Sequence, residues 1–193
     1  MPIPEHIMTP EDFLAAAERG GVVLDVRAPK EYEAGHLPGA VSFPLFTDEE
    51  RAQVGAGDKQ DRKQVAVQLG LELVGPKLRD MAARARALFE AQDTRTPLLV
   101  HCWRGGMRSG SVYWLLRTAE VPSARCQGGY KACRAVLRAT FQTARPYVVL
   151  GGMTGTAKTD VIQALAAQKE RTLDMEGMAR HFGSSFGNVD GHH

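Results

Sequence analysis

The chain has 193 residues, 44% of them hydrophobic, and 24 basic against 22 acidic side chains leave it at +2, apolar enough for one good core and a little more. Three cysteines, an odd number with no Cys-x-x-Cys pair, argue against a disulfide framework or a zinc site and for a reducing compartment. The N-terminal MPIPEHIMTPEDF lacks the basic and apolar regions of a signal peptide, and no apolar run approaches the ~20 residues of a membrane helix; the expectation is a cytoplasmic protein without a membrane partner.

In chain order, Thr9-Pro10-Glu11-Asp12 reads as an N-cap, a proline at the first helical position and an acidic first turn. The helix it opens stops at Gly20-Gly21. VVLDV is a short, nearly all-apolar run that fits a strand buried on both faces. Turn chemistry at Gly35 and Pro38-Gly39 precedes a second short strand near Val41–Phe43. Residues 47–92 read as helices broken at Gly55–Gly57, Gly70 and Gly75-Pro76, with KLRDMAARARALFEAQ the strongest. PLLVH is the next strand, Arg108 to Ala119 the next helix, and a further helix follows Gly128-Gly129. Such alternation predicts a parallel α/β sheet flanked by helices, with its ligand at the carboxyl ends of the strands. Near 143–146 the pattern restarts: YVVL as a strand, GGMTGTAKT as a glycine-rich turn, TDVIQALAAQ as a helix and RTLDM as a short strand. Two domains are therefore expected, at 1–143 and 144–193.

Charge is uneven along this order. Residues 1–100 carry 12 basic and 16 acidic groups, residues 101–150 carry 8 basic groups and Glu120 as their one acid, and the remainder carries 4 and 5. The middle segment is +7, which suits either a solvated helical face or a polyanion partner.

That segment opens with LVHCWRGGMRSGS. A cysteine at a strand end, followed by a tight loop and a helix start, meets inward-pointing backbone N–H groups and the positive end of the helix dipole. Such surroundings pull a thiol below its usual pKa of ~8.5. The sequence thus nominates Cys102 as a nucleophile, with Arg104, Gly105, Gly106 and Arg108 binding a tetrahedral oxyanion. Cys126 and Cys133 have no such setting and read as small buried side chains. Trp103 reads as packing in preference to base stacking. The string HC-x5-R-S is also the signature of protein tyrosine phosphatases, and alone it does not separate phosphoryl transfer from sulfur or selenium transfer.

GGMTGTAKT is a Walker A pattern with Ala157 where the second glycine belongs. Gly152, Gly155, Lys158 and Thr159 would cradle a diphosphate, with Mg²⁺ ligated by Thr159 and oriented through water by Asp174. Glu176 reads equally well as an acid in a helix's first turn. Ala157 falls at a position that often takes φ > 0, where a Cβ costs of order 1 kcal/mol.

LDVRAPKEYEAGHLPGAVSFP resembles the N-terminal half of a rhodanese domain, in which D-V-R-x-P-x-E-[YF]-x-x-G-H-[IL]-P-G-A recurs before an active-site cysteine loop. GGYKACR, from Gly128, resembles the stretch that follows it. Rhodaneses usually have Cys-x4-Arg, and this loop is one residue longer. A rhodanese domain with C-x-R-G-G-M-R-S, joined to a P-loop opening G-G-x-T-G, resembles the tRNA 2-selenouridine synthase family over nearly the whole chain. The resemblance implies a rhodanese-like fold, tRNA anticodon regions as partner and 2-thiouridine at the wobble position as substrate. It implies geranyl diphosphate for S-geranylation, then selenophosphate as selenium donor, with no tightly bound cofactor. Asp25 and Arg27 belong to the signature and read as an ion pair supporting the sheet end, and His36 as a hydrogen-bonded turn histidine. Tyr130 and Lys131 border the loop's neighbourhood. Two departures stand out: the family's H-R-G-S-x-F-G is here HFGSSFG from His181, without the arginine, and only about 45 residues follow the boundary, few for a P-loop core. The expectation is that this chain does not complete geranyl transfer by itself. A Cys-dependent phosphatase and a tRNA-binding remnant are the competing classes.

Overall fold

The computed structural model describes residues 6–56, 63–92, 95–144, 146–153 and 155–178. It divides into two compact units, Met1–Thr143 and Ala144–His193. The reading at 181–187 lies outside the described residues.

The first unit is built on a five-stranded sheet, every pairing parallel: β1 (Ile7–Met8), β2 (Val23–Asp25), β3 (Val41–Ser42), β4 (Leu98–His101) and β5 (Ser123–Cys126), in the order β1-β5-β4-β2-β3. Register is fixed by pairs such as Asp25 with His101 and Leu99 with Ala124. Parallel strands require crossovers, and helices supply them on both faces. Alternation along β4 shows the two layers: Leu98 and Val100 join Leu24, Val26 and Phe43 on one side, whereas Leu99 joins Val23, Ala124 and Phe13 on the other. The first side is covered by α5 (Leu78–Ala91), through Met81 and Ala85, and by α6 (Met107–Thr118), through Val112, Leu115 and Leu116. The second is covered by α1 (Pro10–Glu18), through Phe13 and Ala16, and by α7 (Gly129–Thr140), through Tyr130 and Cys133. Each large apolar side chain so buried contributes about 1.5–3 kcal/mol, which is why a four-residue run such as LLVH suffices to fix the central strand.

α1 starts as its sequence predicts: the Thr9 side chain accepts a hydrogen bond from the Asp12 N–H at 3.1 Å, with Pro10 in the first turn. Between β2 and β3 lies α2 (Pro29–Glu33), and before β4 come α3 (Asp48–Ala56) and α4 (Lys63–Val74). The expected break at Gly70 does not occur. α4 runs through it, a Cβ there meeting nothing closer than the Phe46 ring at 3.6 Å. The break at Gly75-Pro76 is a single 3-10 turn leading into α5. β1, β5 and α2 are additions to the sequence reading. β5 contains Ser123 and Arg125 and is two-sided only because β4 and β1 flank it, so its own pattern carries little signal.

The second unit holds α8 (Lys158–Ala167) and α9 (Met175–Met178). The strands expected at 147–150 and 171–175 do not form among the described residues. Val148 and Val149 are exposed, and no described residue of this unit is buried. A β-strand is stable only in a ladder with a packed face, and the described residues offer these segments neither. No described helix is long and apolar enough to cross a membrane.

Candidate active site

The site lies where the parallel sheet theory of binding places it, at the carboxyl end of the central strand. β4 ends at His101, and residues 102–106 turn into α6, whose N-cap is Gly106. Cys102 is the first loop residue, 4% exposed and a free thiol. Burial alone would push its pKa up. It is outweighed by the Ser109 hydroxyl and by the backbone N–H groups of Ser109, Arg104 and Gly106, so the thiol ionises below its ordinary value. Ser109 Oγ lies 3.3 Å from Cys102 Sγ and 3.1 Å from the Gly106 carbonyl oxygen. Its single hydrogen serves one of them at a time: the carbonyl while the thiol is protonated, the sulfur once it is a thiolate. The ring is therefore preorganised for negative charge at its centre.

The loop's carbonyls are held away from that centre by the start of α7. Tyr130 N–H donates to the Cys102 oxygen at 2.8 Å, and Lys131 N–H to the Trp103 oxygen at 3.1 Å. This close approach requires glycine. Gly105 has φ +70, and a Cβ there would sit 2.8 Å from the Cys126 oxygen. Gly129 has φ +60, and its Cβ would collide with the Cys102 oxygen and lie 2.6 Å from the Gly105 nitrogen. Gly129→Ala is therefore expected to lose at least about 1–2 kcal/mol from the backbone conformation alone, and more from the collision. Urea denaturation measures the first effect, and the alkylation rate of Cys102 measures the spoiled ring; a variant unchanged in both would refute the clamp.

Arg108 makes a bidentate ion pair with Glu31 of α2; Nη2 donates to Oε1 at 3.2 Å, and Nη1 donates to Oε2. Glu31 Oε2 also accepts the Ala28 N–H at 3.1 Å. Burial pulls the Glu31 carboxyl up, but Arg108 and the Ala28 amide hold it below the usual range. α2 thus fixes the Arg108 guanidinium through Glu31. Arg104 contributes its backbone N–H to the ring, while its side chain is exposed, as is the 37%-exposed Trp103.

Beneath the loop is a buried polar layer. Asp25 and Arg27 are 0% and 1% exposed, joined by Arg27 Nε to Asp25 Oδ1 at 2.9 Å and Nη2 to Oδ2 at 2.6 Å, with Nη2 also donating to the Gly35 oxygen at 2.7 Å. The Tyr130 ring covers this guanidinium at 4.0 Å. His101 is buried too. Burial pushes its pKa down, Asp25 Oδ2 at 3.9 Å only partly offsetting this, so it is neutral. His36 Nδ1 lies 3.0 Å from the Tyr32 oxygen and its ring stacks on Tyr32 at 3.9 Å. Tyr130, Arg27 and His36 act on the scaffold.

In the second unit the glycine-rich turn closes on itself. Lys158 Nζ donates to the Met153 oxygen at 2.8 Å, as does Thr156 Oγ1 at 2.7 Å. Gly155 has φ +83 and Ala157, the N-cap of α8, has φ +57, the left-handed region where its Cβ is unfavourable. A Cβ on Gly152 would lie 2.8 Å from Thr156 Oγ1. Asp174 Oδ1 accepts the Gly177 N–H at 2.9 Å and so starts α9. No hydrogen bond joins it to Thr159, and no group of three metal-ligating side chains occurs among the described residues.

The geometry thus brings the Ser109 hydroxyl and the backbone N–H groups of Arg104, Gly106 and Ser109 to Cys102 and gives Gly105 the left-handed turn of the loop, whereas the Arg104 side chain is exposed and the Arg108 guanidinium is engaged by Glu31. Sequence reasoning missed Ser109 and Glu31. Both were visible as motif letters, the serine closing HC-x5-R-S and the glutamate in D-V-R-x-P-x-E, but their partners are set by folding.

A buried thiol at a strand-to-helix amide ring, over a DVR ion pair, defines a rhodanese-like domain, and the family model for that domain matches residues 9–159. The chain belongs to the rhodanese-like family. Residues 145–192 match the model of the tRNA 2-selenouridine synthase AAA domain. The chain is similar to tRNA 2-selenouridine synthases: 42% identical to that of Pseudomonas fluorescens over 86% of this chain and 44% of the relative, and 42% identical to that of Cupriavidus necator over 91% and 47%. It spans under half the length of these curated relatives. Among solved structures, the N-terminal domain of a protein described for ATP/GTP binding from Clostridium difficile 630 is 34% identical, with a TM-score of 0.61 over 68% of this chain and 98% of that one.

Proposed function

We propose that this chain takes part in replacing the sulfur of a tRNA 2-thiouridine by selenium, with Cys102 as nucleophile or selenium carrier and selenophosphate as donor. The observation that carries the reading is the Cys102 ring within a chain 42% identical to selenouridine synthases. Selenophosphate is a tetrahedral oxyanion. The backbone N–H groups of Arg104, Gly106 and Ser109 give it inward donors, the exposed Arg104 side chain can add positive charge, and Arg108 would do so only on release from Glu31. S-geranyl-2-thiouridine is the intermediate on which selenium acts; Gly152, Gly155, Lys158 and Thr159 would hold the geranyl diphosphate that forms it only after Lys158 leaves the Met153 oxygen, and Asp174, engaged with the Gly177 N–H, stands as no partner to Thr159 for Mg²⁺. The test supplies S-geranyl-2-thiouridine tRNA and selenophosphate to the full chain and follows wobble nucleosides by mass spectrometry. Selenouridine formation supports the reading. Turnover of an aryl phosphate without selenium incorporation moves it to a Cys-dependent phosphatase, which the Cys-x5-Arg spacing and the Ser109 contact also suit.

The tRNA partner suits the outer face of α7. Lys131, Arg134 and Arg138 are exposed at helical spacing, and the helix has no acidic residue. Charge reversal of all three is expected to weaken tRNA binding and to flatten the plot of log affinity against log salt by about 2–3. Filter binding across a salt series measures this; an unchanged slope would place the tRNA elsewhere.

A further inference from the structure

We infer that Cys126 and Cys133 form a redox-reactive dithiol, a modification site separate from Cys102, which a hydroperoxide closes to a disulfide. The two thiols are reduced, 1% and 0% exposed, and their sulfurs lie 3.2 Å apart. Cys126 ends β5 and Cys133 stands in the second turn of α7, so the approach is made by the fold and not by sequence adjacency. A disulfide has its sulfurs ~2.05 Å apart, so closure asks the pair to move together by little more than ~1 Å, within reach of side-chain rotation. Neither thiol has a place in the chemistry assigned to Cys102.

The pair is chemically asymmetric. The Cys133 S–H, with a smaller contribution from the Gly129 environment, favours ionisation of Cys126, whose pKa is lowered although burial opposes this. Cys133 is pushed up by the same partner and by burial. Cys126 is thus the readier of the two to ionise, against burial and against the contacts of its S–H with the Gln127 oxygen at 3.4 Å and the Gly129 oxygen at 3.8 Å, and Cys133 keeps its proton. Both residues are 1% or less exposed, so a water-sized oxidant reaches them through local opening around the turn that follows Cys126. In the first step the Cys126 thiolate attacks one oxygen of hydrogen peroxide. The O–O bond breaks and hydroxide leaves, giving a sulfenic acid. The Cys133 sulfur then attacks the sulfenic sulfur, the S–O bond breaks, and the displaced hydroxide takes the Cys133 proton as water. Two sulfurs lose two electrons in all, and the peroxide is reduced.

The consequence reaches the active loop through what lies between the two cysteines. The Gly128-Gly129 turn backs the Cys102 loop, and the Cys126 oxygen faces Gly105. A disulfide ties the end of β5, before that turn, to the second turn of α7, after it.

The test uses the full chain, fully reduced, then titrated with hydrogen peroxide, with residual thiols alkylated before tryptic digestion. Cleavage after Arg125, Lys131 and Arg134 releases CQGGYK and ACR, and the inference expects these joined, lighter by the two thiol hydrogens and separated again by dithiothreitol. In Cys133→Ala, checked for folding by circular dichroism, the same peroxide leaves Cys126 as a sulfenic acid that dimedone traps. Recovery of both cysteines as alkylated thiols at peroxide levels that oxidise Cys102 would overturn the inference. So would a Cys126 cross-link to Cys102, or to a second chain, in place of Cys133. Should Cys133→Ala fail to fold, the peptide assay on the unaltered chain decides alone.

Discussion

Cys102→Ser is expected to lower the proposed selenouridine formation by a factor on the order of 10³ or more, because a serine hydroxyl ionises far less readily than a thiol whose pKa is lowered. The loss alone would not show why the cysteine is reactive, so the informative companion is Ser109→Ala. It keeps the sulfur and the three backbone N–H groups but removes the hydroxyl that stands 3.3 Å away. Alkylation by iodoacetamide follows the thiolate fraction, so its rate rises with pH through the thiol pKa. In the unaltered chain that pKa is depressed, and the half-point falls below that of a free cysteine. In Ser109→Ala burial keeps its opposing effect while one of the offsetting donors is gone, and the half-point moves up. An unaltered chain whose half-point matches free cysteine would sink the activated thiolate, and a Ser109→Ala half-point that stays in place would assign the whole effect to the backbone.

Asp25→Ala is expected to produce the largest loss of stability among single changes near the site. It leaves the Arg27 guanidinium, 1% exposed, between the Gly35 oxygen and the Tyr130 ring without its carboxylate. Removing one partner of such a pair costs about 3–5 kcal/mol, because the remaining charge cannot return to water without opening the core. For a chain of this size that corresponds to a fall in Tm on the order of 10 °C, read by thermal denaturation. Glu50→Gln serves as the contrast. Its partner Lys77 is 33% exposed, and a solvated pair of this kind is worth about 0–1 kcal/mol. Equal effects of the two substitutions would mean that the Asp25–Arg27 pair is less isolated from water than its burial implies.

Much of the first unit was legible because its signals are local. VVLDV and PLLVH have the apolar runs of strands covered on both faces, and Thr9-Pro10 caps a helix whose first-turn hydrogen bonds need no distant partner. The loop beginning at Cys102 was legible for the same reason: strand end, glycines and helix start are consecutive, and they suffice to point N–H groups inward. β5 was not, since SARC becomes a strand only between β4 and β1. YVVL failed in the opposite direction: its local pattern is that of a strand, yet among the described residues nothing pairs with it.

What the sequence determined alone was the local setting, a cysteine between a strand end and a helix start with glycines and arginines around it and a basic stretch beside it, because residue type and spacing along one loop set both. Tertiary structure decided which groups tune it. Glu31 reaches Arg108 across 77 positions, the Tyr130 amide reaches the Cys102 carbonyl from another helix, and Cys126 meets Cys133 across a turn. Hydrogen bonds and sulfur contacts act over a few ångströms only, and such distances between residues remote in sequence exist only once the parallel sheet has brought the ends of β2, β4 and β5 side by side.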